Sequence, residues 1–158
     1  MATPHVRSIL GDPKNSRVSK ARAGVSVRVK RVYDAAAEAD GVRVLVDRLW
    51  PRGLSKETAR VDVWLKDIAP SHALRRWFGH DAHKWDEFRR RYAAELRLVP
   101  DVVTELTTLA RCGRVTLLFS SRELVYNNAR ALHESLAAGW RTGASRRERR
   151  SRDVQPRE

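Results

Sequence analysis

The stretch Val42-Arg43-Val44-Leu45-Val46-Asp47-Arg48-Leu49-Trp50-Pro51-Arg52-Gly53 decides how the rest of the chain is read. It opens on a β-branched apolar run, the pattern of a strand buried on both faces. Within a few residues it turns to Asp, Arg, Trp, Pro, Arg and Gly. Proline and glycine end a strand, so the charged residues gather where the chain leaves the sheet. In open α/β sheets, ligands bind beyond that carboxyl end.

Working outward, Arg114 to Ser120 is a second strongly apolar strand, and Val25 to Tyr33 alternates valine with Ser, Arg and Lys as a half-buried strand does. Val61 to Leu65 alternates again. Helices fill the intervals. Ser55 caps a short turn through Ala59, and Ser71 caps a helix carrying Leu74, Trp77 and Phe78 that Gly79 closes. Asp81 opens a longer helix with Trp85, Phe88, Tyr92 and Leu96 at helical spacing, an aromatic stripe that reads as core. Pro100-Asp101 starts a helix that Cys112-Gly113 ends, and a last helix carries Ala129, Leu132 and Leu136 to about Gly139. Strands interleaved with helices predict an α/β layered sandwich, with a mainly parallel sheet of about four strands flanked by helices. Pattern alone does not order the strands.

At 158 residues the chain suffices for one domain with its own core. Residues 25–140 are read as that domain, 1–24 as a disordered basic extension and 141–158 as a disordered Arg-rich tail. An initiation codon near Val25 would leave the first segment outside the native chain. No stretch approaches the roughly 20 apolar residues of a membrane span, and no secretory signal opens the chain, so a cytoplasmic protein is expected. Cys112 is the single cysteine, which excludes an internal disulfide and a cysteine-cluster metal site. The formal net charge is +13; residues 1–25 hold five Lys/Arg against one acid, and residues 141–158 seven Arg against three acids. Such tails are solubilising first, and second a source of nonspecific nucleic-acid contact.

Candidate site residues collect at the two central strand ends. Arg48 and Arg52 flank Trp50-Pro51, so two guanidiniums and an indole stand ready to hold a phosphate or carboxylate. The alternative is that Asp47 and Arg48 tie the turn together. Ser120 and Ser121 end the other central strand, where hydroxyls and free N–H groups favour an anion or simply cap a helix. If the two strands are neighbours, Arg48, Arg52, Ser120 and Asn127 converge in one cleft. Asp47 beside arginines would be the acid/base residue of any hydrolytic or transfer reaction, its lowered pKa suiting a base. His80, Asp81 and His83 lack metal-ligand spacing, and Asp81 reads as a helix cap, so neither metal nor cofactor is expected. Lys66-Asp67 is read as a solvated ion pair. The expected ligand is an anionic small molecule such as a nucleotide. The rival readings are a nucleic-acid-binding protein using its tails and Arg89-Arg90-Arg91, and a homodimeric interaction module.

Several blocks together resemble the YeaO-like proteins, the bacterial domain of unknown function 488. They are Lys30-Arg31-Val32-Tyr33-Asp34, Arg43 to Gly53, Ala69-Pro70-Ser71, Leu74-Arg75, Phe78, Phe88, Tyr92, Glu95-Leu96 and Thr116-Leu117-Leu118. The resemblance spans about residues 28–137. It implies an α/β fold and no established activity. Where the family's last helix commonly opens Asn-His-Ala, this chain has Asn127-Asn128-Ala129. That departure removes a histidine from any mechanism needing one there.

Overall fold

The computed structural model describes residues 25–150, with side chains as far as Gly139. Four parallel strands, β1 (Val27–Arg31), β2 (Val42–Leu45), β3 (Val63–Trp64) and β4 (Val115–Phe119), form one sheet in the order β1-β4-β2-β3. Helices α1 (Lys56–Ala59), α2 (His72–Phe78), α3 (Trp85–Leu96), α4 (Pro100–Cys112) and α5 (Asn128–Arg150) connect and flank the strands. The fold is therefore α/β, as the alternation of patterns required.

The run at 115–119, apolar but for Thr116, becomes the inner strand β4, buried at all five positions, because it has a neighbour on each side and both its faces are covered. On one face Val44, Val46, Leu117 and Phe119 meet Phe78, Phe88, Tyr92, Leu106 and Leu132 of the helices. On the other, Val32, Leu45 and Leu118 meet Ala59, with Trp50, Leu54 and Val61 packed around them. The period of two in β2 sorts its side chains between the two cores.

Three expectations shift. The strand opening the 42–53 stretch stops at Leu45 and β3 is shorter than 61–65, although single rungs prolong them: Val46 N–H donates to Leu118 O (3.1 Å), and Leu65 N–H to Leu45 O (2.9 Å). Asp81 caps a tight turn at Ala82–Lys84, its Oδ1 accepting from His83 N–H at 2.9 Å, and α3 begins only at Trp85. α5 runs past Gly139 to Arg150, since Gly139 and Gly143 each cost only about 1 kcal/mol inside a helix and no proline interrupts the run. The 1–24 extension and residues 151–158 of the tail lie outside the described residues. Among the described residues no helix is long and apolar enough to cross a membrane.

One buried charge pair braces the second core. Asp40 accepts from Arg43 Nη1 (2.6 Å), Lys30 Nζ (3.2 Å) and Ala37 N–H (3.0 Å). Arg43 then donates Nη2 to Ala59 O and Nε to Arg60 O, each at 3.0 Å. Burial alone would raise the Asp40 pKa, but the Ala37 N–H, Arg43 and Lys30 together outweigh it and hold the carboxyl below its ordinary value.

Candidate functional site

β2 and β4 are neighbours, so Asp47 and Ser120 leave the sheet side by side. The Asp47 carboxylate continues the ladder where backbone pairing stops. Its Oδ2 accepts from Ser120 N–H (2.8 Å) and Ser120 Oγ (2.6 Å), and its Oδ1 from Asn128 Nδ2 (3.0 Å). Asn128 Nδ2 also donates to Val46 O at 3.1 Å, so both amide hydrogens point back to the end of β2.

The other expected residues part company. Arg48 reaches toward the β3 edge, donating Nη2 to Ala69 O at 3.1 Å with Asp67 at 4.0 Å, while its buried Nε has no partner among the described residues. The Arg52 backbone is fastened toward the opposite edge, its carbonyl accepting from Tyr33 Oη at 2.7 Å. Trp50 packs edge-on against Trp64 (5.5 Å) and donates Nε1 to Leu54 O (2.7 Å), closing the second core. Asn127 is wholly buried and caps α5, its Oδ1 accepting from Arg130 N–H at 2.9 Å and its Nδ2 donating to Glu123 O at 3.1 Å. Ser121 Oγ accepts from Glu123 N–H at 3.0 Å and lies 3.5 Å from His80 Nε2. The hydrogen bonds of Arg48, Arg52 and Asn127 thus go to groups other than Ser120; Asp47, Ser120 and Asn128 do meet.

Beside Asn128 opens a pocket of about 160 Å³. Its floor is Pro70, Phe78 and Phe88, all buried, with the two phenyl rings stacked at 4.0 Å. Its rim is His72, Arg75, Arg76 and His80, all exposed. The i, i+3, i+4 spacing of His72, Arg75 and Arg76 places them on one side of α2. Neither guanidinium has an acidic partner among the described residues. His80, in the left-handed region at φ 56°, donates Nδ1–H to Tyr126 O at 2.8 Å and so ties the loop before α5 to the end of α2. Behind the floor, buried Tyr92 donates Oη to Ile68 O at 2.6 Å, and Glu95 accepts from Ser71 N–H at 2.8 Å; both hold the Pro70 segment to α3. Burial, and then the Asp47 and Glu95 charges, push the Tyr92 phenol upward, so it stays protonated.

Residues 26–154 match the family model described as the inactive DUF488-N3 subclade. The chain belongs to this family. It is 39% identical to YeaO of Escherichia coli (strain K12) over 112 residues, which cover 71% of this chain and 97% of that protein. It is 42% identical over 110 residues to an uncharacterised protein of Mycobacterium tuberculosis (strain ATCC 25618 / H37Rv), covering 70% of this chain and 92% of the relative. No solved structure matches the chain.

In this DUF488-N3 chain the side chain that joins Asp47 to the pocket is a carboxamide, which neither gives up nor takes a proton near neutral pH. Asp47–Asn128 is therefore an orienting contact, without the chemistry of a proton relay. The Asp47–Ser120 contact should weigh on stability: Ser120→Ala removes a charge-assisted bond, with an expected loss of about 1.5–3 kcal/mol in urea unfolding. An unchanged midpoint would mean that the Ser120 hydroxyl adds nothing beyond its backbone N–H.

The pocket rim escaped the sequence pattern for a specific reason. α2 announces itself through Leu74, Trp77 and Phe78, and the cations on its other side look like an ordinary solvated face. The signal was the absence of any acid in His72-Ala73-Leu74-Arg75-Arg76-Trp77-Phe78.

Proposed function

We propose that this chain is a cytoplasmic binding domain for a small anion, seated in the pocket beside Asn128, and that it catalyses no reaction there. The supporting observation is the rim: four basic side chains surround one small cavity whose lining contains no carboxylate. The fixed charges of Arg75 and Arg76, which have no acidic partner among the described residues, attract an anion from solvent. The description of the family as inactive agrees with the engagement of Asp47 by three donors and with an amide at Asn128. A whole nucleotide exceeds the cavity, since drug-sized ligands take roughly 300–1,000 Å³; a nucleotide would have to lie largely outside it.

Nucleic-acid contact is the weaker reading for the folded domain. Arg89 is paired with Asp86 and Glu134, and Arg90 and Arg91 both with Glu87. That basic run is locally neutralised, and we assign any phosphate-backbone contact to the terminal segments.

The test is thermal stabilisation by phosphate, sulfate, acetate and benzoate at constant ionic strength, for the intact chain and for Arg75→Gln/Arg76→Gln. A ligand of the native state raises its melting temperature with occupancy. At least one anion should stabilise the parent, and the double variant should bind it more than about tenfold more weakly, as expected for losing charge-assisted bonds of 1.5–3 kcal/mol each. If no anion stabilises the parent in a manner that depends on these arginines, the proposal fails.

A further inference from the structure

We infer that the ligand of this pocket is an amphiphilic monoanion, a small aromatic carboxylate that enters ring first and leaves its carboxylate among the rim cations. The inference rests on the anion-binding reading and specifies its ligand class. The ordering of the lining carries it: the residues at the bottom, Pro70, Phe78 and Phe88, are apolar and buried, and every charged residue stands at the exposed mouth. A phosphate seated in such a cavity would give up its water against two phenyl rings and a proline, with no buried charge to replace that water. A phosphate held only at the mouth would leave the apolar floor uncovered.

A carboxylate with one ring reverses both defects. Its head meets Arg75 or Arg76 in the forked geometry that a guanidinium offers a carboxylate. Its body covers the floor, where Phe78 presents one face to the stacked Phe88 and has the His80 ring at 5.6 Å, tilted by 58°. Aromatic walls at such angles favour a further ring in an offset or edge-on position. The volume also fits: at about 160 Å³ the cavity is well below the roughly 300–1,000 Å³ of drug-sized sites, as suits a single-ring ligand.

The experiment titrates the intact chain with benzoate, acetate, inorganic phosphate and benzyl alcohol, following heat and the ring-proton resonances of Phe78 and Phe88. Benzoate should bind at least about tenfold more tightly than each of the others and should show magnetisation transfer to both phenyl rings. Arg75→Gln/Arg76→Gln should weaken benzoate by about tenfold or more and leave benzyl alcohol unchanged. Acetate or phosphate matching benzoate, with the same dependence on the arginines, overturns the ligand class while anion binding stands. Benzyl alcohol matching benzoate overturns the role of the charge, and no binding by any probe overturns both readings.

Discussion

Replacing Asp40 with alanine is expected to remove about 3–5 kcal/mol of folding stability, because it leaves the Arg43 guanidinium buried without its counter-charge. Arg43 is 4% exposed, and its two carbonyl acceptors, Ala59 O and Arg60 O, cannot neutralise it. Denaturant midpoints with unchanged slopes measure the loss. Asp40→Ala/Arg43→Met should recover much of it, since removing both charges leaves none unpaired. The pair also sets a pH dependence. The Asp40 pKa is lower in the folded chain than its ordinary value of 3.8, so its contribution is complete above that value and is lost as pH falls through the folded value. Acid should therefore narrow the gap between parent and Asp40→Ala. A single-variant loss below about 1 kcal/mol would show that water reaches Arg43 and that the pair is not buried in solution.

Gly41→Ala, one residue on, should cost about 3 kcal/mol or more by a different route. Gly41 has φ 65° and ψ −138°, a region that side chains strain to occupy at about 1–3 kcal/mol. A Cβ there would also stand 2.2 Å from Arg114 O and 2.9 Å from its carbonyl carbon. That oxygen accepts Val42 N–H at 2.9 Å, the rung that starts the pairing of β2 with β4. The backbone must move, and a hydrogen bond of about 1 kcal/mol goes with it. Gly53→Ala is the control: φ is 76°, but nothing lies within 4 Å of the added carbon, so only the torsional strain remains. Equal melting temperatures for the two variants would show that the Arg114 carbonyl yields freely.

Why the strands were legible and the site only half so comes down to reach. Val44 to Val46 is apolar without interruption and Val115 to Phe119 is broken only by Thr116, and burial on both faces leaves such runs few alternatives. The convergence at their ends needed the order β1-β4-β2-β3, which no local pattern encodes. Asp47 and Ser120 met because each directly follows its strand, where the chain has no freedom to wander. Asn127 was expected in place of Asn128, a difference of one residue that in a helix is about a quarter turn. One asparagine turns inward to cap α5, and its neighbour turns to Asp47. Arg48 and Arg52 are close in sequence, yet the Pro51-Arg52-Gly53 bend carries the second toward Tyr33. Arg43 inside an apolar strand was itself a signal, because an arginine facing a core demands an acid, and Asp40 lies three residues before it.

The inner position of β4 has a consequence for how the chain comes into being. Val27 pairs with Val115, and so does Val42, so the sheet's two larger pairings both depend on a segment translated after β1, β2, β3 and four helices. Before it appears, the only strand pairing available among the described residues is the two-rung contact of Val44 and Leu45 with Val63 and Trp64. A nascent chain therefore leaves the ribosome with open strand edges and an uncovered apolar face, the condition under which incomplete chains aggregate. Loop closure over such separations is slow, and here it is deferred rather than built up step by step. Commitment to the native state waits for residues 115–119 to slide between two strands that until then have had no partner in common.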